Sequence, residues 1–485
     1  MSDGLGGQGG RGGRGGRVAA IDLGATSGRV IVGRVGPGIL ETETVARFPN
    51  DPVRTIDGLH WNILGLYGAA SAGLAEAFRR YDDIGSIGID SWAVDYGLLR
   101  RGQLLGVPFH YRDDRNEAGV RAVHRRMPHT DLYARNGLQF LPFNTIYQLA
   151  AEAAGPLLEV SDTMLLVPDL LAYWLTGEAR FERTNASTTG LIDVRTGEVS
   201  PELVALTGAD AGILPTLISP GESFGTLLGD VRGGLGAPAH VQVTAVGSHD
   251  TASAVFAVPM DPARAAYISC GTWGLVGLEL NDPVTTEAAR EANFTNEGGV
   301  GGTVRFLHNV MGLWLLSESI RHWEREGERI DLPTLLQAAG ELRDEVAVFD
   351  ADDPAFLAPG EMPDRIAEHC RAHGLPVPRT RVEFARSIIE SLADTFARSV
   401  RTAAQLADRT VEVVHIVGGG SLNTLLCQRT ADHLGLPVLA GPVEATAIGN
   451  LLVQARAQHL IEGNAAELRD LVATVHPPTR YEPRG

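Results

Sequence analysis

The sequence predicts an α/β protein made of two similar domains that face one another across a cleft. Three observations carry that prediction. The chain has 485 residues and is 44% apolar, which is too much for one ordinary core. A strand, a tight turn of small residues and a second strand open the ordered sequence (GRVAAIDLGATSGRVIVG), and the same design returns near residue 260 (RAAYISCGTWGLVGLEL). Each half then has a later strand, IGSIGID in the first and VEVVHIVGGG in the second, so the element order repeats although few residues do. On this reading the domains run 18–259 and 260–470, between a Gly/Arg-rich disordered tail at 1–17 and a polar tail at 471–485. Two such halves would place both tight turns in one cleft.

Charge and composition narrow the function. A net charge of -18 repels nucleic acid and anionic membranes, so neither is expected as a partner. The three arginines among the N-terminal glycines could touch RNA, but the acidic remainder favours a plain unstructured tail. Every basic side chain is arginine; without lysine there is no lysine Schiff base and no P-loop lysine. An anionic substrate would need a metal or arginine beside it. Cys270, Cys370 and Cys427 form an odd, sparse set, which points to a reducing compartment and a cytoplasmic protein. No apolar run reaches 18 residues; TMLLVPDLLAYWLTG comes nearest and Pro168-Asp169 break it.

In chain order, the first strand ends at Asp22, and Gly24, Ala25, Thr26, Ser27 and Gly28 make a turn whose amides are free to face an anion. A structural hairpin has the same pattern; the acid beside the turn would suit a cation held over the same phosphates. Leu59–Tyr81 reads as a helix. IGSIGIDSWAVDYGLL reads as a buried strand entering a loop, with Asp90 and Asp95 either side of Trp92. The charged motif YRDDR (111–115) reads as a solvated loop or as a polar cleft loop that binds hydroxyls. VQVTAVGSHDTASAV brings a strand to His249 and Asp250 at the mouth of a turn into a small-residue helix, and Asp250 is the residue best placed to carry a reaction. FLHNVMGLWLLSESIRHWER, containing Asn309, reads as one long amphipathic helix. His369, Cys370 and His373 cluster at a helix end, with zinc as the alternative. After VEVVHIV, three glycines, Gly418, Gly419 and Gly420, would let a flat or anionic ligand approach the backbone, but the dinucleotide pattern GxGxxG is missing.

Taken together, AAIDLGATSGRV, SIGIDSWAVD, YRDDR, LQFLPFNTIYQL, SHDTASAV, SCGTWGLVG, NEGG, MGLWLL, HIVGGGSLNTLL and GPVEATAIGN resemble the FGGY family of carbohydrate kinases, in order and over nearly the whole ordered chain. The resemblance implies two ribonuclease-H-like domains of the actin, hexokinase and Hsp70-like ATPase fold with the site between them. It implies ATP and Mg2+ as cofactors and a small-molecule ketose as substrate. Within the family the match is strongest to kinases that phosphorylate L-rhamnulose at O1. Carried over by motif, Asp250 is the general base, and Asp22 and Asp250 face Mg2+, Asp22 through water. Ala25, Thr26, Ser27, Gly28, Arg29 and Thr272 surround the phosphates, while Gly418, Gly419 and Gly420 border the nucleoside, with Asn309 lining the cleft on the cofactor side. His249, Asp250, Thr251, Trp92 and Ala93 face the sugar. Where the family has glycine in DTWGVD, this chain has Ala93 in DSWAVD. Rival classes are a non-kinase ATPase of the same fold, or a sugar-binding module; oligomeric state is open.

Overall fold

The computed structural model describes residues 15–484. The expected disorder of the tail therefore falls largely outside the described residues, but its end does not: β1 (Gly16–Leu23) begins two residues before Val18. β2 (Ser27–Gly36) and β3 (Ile39–Pro49) follow as an antiparallel meander. Parallel to β1 lies β4 (Ile84–Ser91), reached through helix α1 (Ile63–Arg80); β5 (Ser223–Thr226) and β6 (Gln242–Thr244) complete a six-stranded sheet in the order β5-β6-β4-β1-β2-β3. Residues 59–60 of the expected first helix are instead a short strand, because the helix is capped only at Asn62, whose side chain accepts from Gly65 N.

The second half repeats the first. β7 (Ala265–Cys270), β8 (Trp273–Leu280), β9 (Thr295–Gly298) and β10 (Val304–Met311) precede β11 (Val413–Val417), β12 (Val438–Ala440) and β13 (Thr479–Tyr481), in the sheet order β9-β10-β8-β7-β11-β12-β13. An antiparallel run, of three strands in the first sheet and four in the second, leads in both to two parallel strands and then to an antiparallel edge. The stretch read as a polar tail thus supplies that edge strand, β13, and before it the end of a helix, Ala465–Val475. The stretch read as one long helix is two elements. Phe306 to Met311 all pair with β8, the first two with β9 as well, and the helix α2 (Trp314–Arg325) starts only after Gly312, where an added Cβ would meet Trp273 backbone carbon at 2.5 Å.

What positions the site is an exchange of helices. Alternating residues of β1 face opposite ways, as a strand requires: Ala19, Ile21 and Leu23 pack with α1, while Val18 and Ala20 pack against α3 (Ala445–Ala457), a helix of the second half. In return the short helix Asp250–Phe256 sends Ala254 and Val255 against Ala265, Tyr267 and Leu275 of the second sheet. The two helices cross where Gly449 nearly touches Ser253 carbonyl oxygen; a Cβ there would lie 1.8 Å away. Asp250 therefore begins a helix wedged between both sheets. Residues between β4 and β5 form a largely helical insert with its own core around Ile146, Leu149 and Leu166. No helix among the described residues is long and apolar enough to cross a membrane.

Candidate active site

A cleft cavity of about 490 Å³ opens at the joint, and its walls come from both halves. Asp22 stands at the end of β1, and Asp250 at the start of its helix, with 31% of its side chain exposed to the cleft where most neighbouring polar groups are buried. Of the residues singled out from sequence, Asp22, Ala25, Thr26, Ser27, Arg29, Trp92, Ala93, His249, Asp250, Thr251, Thr272, Asn309, Gly418 and Gly419 line this one cavity. Gly28 and Gly420 do not. Each is a packing glycine: a Cβ on Gly28 would meet the Phe48 ring at 2.2 Å, and one on Gly420 would meet Cys270 Sγ at 2.4 Å.

The phosphate-type turn is held by charge. Arg29 Nε donates to Asp22 Oδ2 at 2.8 Å, and its other end pairs with Glu444 of the second half, which also lies 3.4 Å from Arg47. Arg29 and Arg47 both line the cleft, so an acidic chain places cations where an anion would sit. Burial raises the Asp22 carboxyl above its usual range; Arg29 opposes this and the Asp250 charge adds to it. Asp90, which is the register partner of Asp22 on β4, is pushed well up by burial and by Asp22, and accepts from Asn450 on α3.

The other end of the cleft is aromatic. Asp95 takes bonds on one oxygen from Trp61 Nε1 (2.5 Å), Trp92 Nε1 (2.9 Å) and Tyr111 N (3.3 Å), and on the other from Gln148 Nε2 (2.8 Å). Burial lifts its pKa to about 7 against those bonds. Between Ala93 and Asp95 the chain makes a tight turn in which Asp95 N donates to Ala93 O and Val94 takes φ of 71°. A β-branched residue there is strained by about 1–3 kcal/mol. Thr145 Oγ1 holds the turn through the Val94 carbonyl at 2.7 Å. Of YRDDR, only Tyr111 reaches the cavity. Asp113 accepts from Leu59 N and Arg115 N, Arg115 pairs with Glu152, and Arg112 crosses to the second half to donate to Leu357 O. His369 and His373 stack at 4.1 Å over the last turn of the helix Met362–Ala372.

Residues 18–257 match the N-terminal domain of the FGGY family of carbohydrate kinases, and residues 266–458 its C-terminal domain. The chain belongs to that family. It is an ATP-dependent carbohydrate kinase with the actin, hexokinase and Hsp70-like ATPase fold. It is 40% identical over 473 residues to a rhamnulokinase of Bacteroides thetaiotaomicron, covering 96% of this chain and 95% of that one. A rhamnulokinase of Klebsiella pneumoniae is 39% identical over 470 residues, with 96% and 94% covered. In fold, the kinase resembles a xylulose kinase of Rhodospirillum rubrum (TM-score 0.76, 20% identity, 96% and 94% covered) and an ADP-bound glycerol kinase of Plasmodium falciparum (TM-score 0.77, 12% identity, 97% and 94% covered).

Residues of the kinase that sequence reading missed cluster at both poles of the cleft. Glu297 stands beside His249, and Gln139 Oε1 accepts from both N and Nδ2 of Asn309, which the sequence had already placed at the cleft. Against the penalty of burial, Arg305 holds the Glu297 carboxyl below its usual range. At the far pole Gly419 and Leu422 also line a second hollow of about 1110 Å³, walled by Leu313, Leu316, Ile320 and Leu336. A run of NEGG or LWLLSES in sequence does not show which side chain faces a cleft; the pairing of β9 with β10 does. For a cation, no group of three or more His, Cys, Asp or Glu that could cage one exists among the described residues. The donors present, Asp22 and Asp250, suit the hard ion that keeps its waters and takes one or two carboxylates plus phosphate, which is Mg2+.

Proposed function

We propose that this kinase transfers the γ-phosphoryl group of ATP to O1 of L-rhamnulose, with Asp250 as general base. The observation that carries the substrate reading is the Trp92 wall. The only polar atom of that indole donates to Asp95, so the ring presents hydrocarbon to the cleft. L-Rhamnulose carries a methyl at C6 where related hexuloses carry a hydroxyl. Seating that methyl is worth about 1 kcal/mol, and forcing an unpaired hydroxyl against the wall costs about 1–3 kcal/mol. The similarity to two rhamnulokinases supports the same choice.

In this reading O1 lies beside the exposed Asp250 carboxylate, which accepts its proton as the oxygen attacks phosphorus. Thr251 Oγ1, which donates to Asp250 Oδ1 at 3.0 Å, keeps the carboxylate turned into the cleft. His249, Gln139 and Asn309 orient the sugar oxygens, so Asn309 belongs with the sugar rather than the nucleotide. Ala25, Thr26, Ser27, Arg29 and Thr272 surround the phosphates. Gly418 and Gly419 lead the nucleoside toward the leucine-lined hollow, whose flat apolar walls suit a purine. Asp22 and Asp250 would hold Mg2+, which when bound neutralises phosphate oxygens.

The test is kcat/KM for L-rhamnulose, L-fuculose, L-xylulose, L-ribulose and D-xylulose in an ADP-release assay. L-Rhamnulose should be preferred. Ala93, whose methyl lines the same wall, is where a different sugar would be selected; a tenfold preference for another ketose would replace the substrate and leave the kinase.

A further inference from the structure

His249 is gripped from behind by a buried ion pair that phosphoryl transfer itself does not use. Arg305 on β10 is fully buried and stands opposite Glu297 on β9. Its Nε donates to Gly298 O at 2.9 Å, one Nη lies 3.2 Å from Glu297 Oε2, and the other lies 3.0 Å from His249 Nδ1. Glu297 Oε2 is itself 3.3 Å from the same Nδ1. On its other side the ring turns Nε2 toward Asp250 Oδ1, 3.5 Å away. Thr184 Oγ1 accepts from His249 N, which fixes the backbone.

A guanidinium has five N–H donors and no acceptor. At 3.0 Å from Nδ1 it can only donate, because a proton on Nδ1 would set N–H against N–H. Glu297 Oε2, although 3.3 Å from Nδ1, is not in line to accept from it and makes no hydrogen bond there. We propose that Arg305 is a positioning residue that fixes His249 as the Nε2–H tautomer, so that the ring is a hydrogen-bond donor on the cleft side, beside the base. Resting on the kinase reading, this gives the histidine one task. It donates to an oxygen of the ketose next to the hydroxyl that Asp250 deprotonates, and it cannot compete with Asp250 for that proton, because the cleft-side nitrogen already carries one. The second half of the molecule thereby sets the hydrogen-bonding sense of a side chain on the first half.

The experiment is nitrogen-15 NMR of the full-length, ligand-free protein labelled at histidine, with the His249 signals assigned by their loss in His249→Gln. The wild type should show protonated Nε2 and bare Nδ1. The double variant Glu297→Leu with Arg305→Met replaces the buried pair by apolar groups, an exchange that cores tolerate better than removal of one partner. In it the tautomer should become mixed or reverse, and the ketose KM should rise about tenfold with the ATP KM unchanged. Arg305→Lys, which still donates, should restore the Nε2–H form. A wild-type His249 protonated at Nδ1 overturns the proposal, and so does a double variant with unchanged tautomer and unchanged ketose KM. The NMR result stands apart from the substrate: the expected tautomer in a protein that phosphorylates no ketose would sink the functional reading and leave this one.

Discussion

Asp95 organises the aromatic wall of the cleft with one carboxylate, and its two oxygens have different tasks. Trp61, Trp92 and Tyr111 bond one oxygen and Gln148 the other. In Asp95→Asn, an amide oxygen under the tryptophans sets Nδ2 against Gln148 Nε2, two donors face to face. Ketose KM should rise about tenfold while ATP KM holds, since only the wall moves; an unchanged ketose KM would free Trp92 from this role. The same carboxyl makes a pH prediction. Its folded pKa of about 7 lies above the ordinary value of about 3.9, so the fold favours the protonated form. That contribution to stability is complete below about pH 4 and is lost as pH rises through 7. Between pH 5 and 8 the wild type should lose Tm relative to Asp95→Asn, which has no proton to lose; a constant difference would contradict the burial effect. At this scale the places of Asp22 and Asp250 in the cleft were legible: Asp22 ends a strand just before a turn of small residues, and Asp250 opens a helix of small residues after an apolar run. Glu297 and Arg305 were not. Each is an ordinary charged residue in sequence, and only the antiparallel register of β9 and β10 sets them behind His249. Gly28 and Gly420 misled in the opposite way, since a glycine beside a ligand and a glycine under a phenylalanine or cysteine look the same as letters.

Among the elements, the crossing of α3 with the short helix Asp250–Phe256 holds Asp250 in place. The small residues of ASAV and AIGN bring two backbones together at Gly449 and Ser253. Gly449→Ala puts a methyl 1.8 Å from a carbonyl oxygen, so the helices must part. Overpacking of this kind costs about 1–3 kcal/mol, and here it also displaces Asp250. The urea midpoint should fall and kcat should fall with it. A variant with a lower midpoint but full kcat would show that the crossing stabilises without positioning. Two elements escaped the sequence. Phe306–Met311 carries apolar residues at spacings that fit a helix or a strand, and its pairing with β8 along its whole length decides for the strand. Thr479–Tyr481 is polar and short, and becomes a strand only because β12 offers it an edge.

The whole molecule is one design used twice, down to the antiparallel edge strand of each sheet. That duplication was legible because each copy places a strand, a turn and a strand in the same order. The contacts that span the cleft were not, because they join residues hundreds of positions apart: Arg47 to Glu444, Asp90 to Asn450, Arg112 to Leu357. Arg112 also lies over the Trp314 ring at 4.2 Å. Ligands that touch both halves should draw them together. Solution scattering should give the smallest radius of gyration with ketose and a non-hydrolysable ATP analogue both present; equal radii in all four states would rule closure out. The central claim is that Asp250 takes the proton from a sugar hydroxyl, and phosphorus NMR of the reaction with L-rhamnulose, MgATP and either wild type or Asp250→Asn tests it most directly. The wild type should yield one sugar phosphate, at C1, while Asp250→Asn yields product at least about a thousandfold more slowly. Near-normal turnover by the variant, or phosphate at another carbon, would contradict the account.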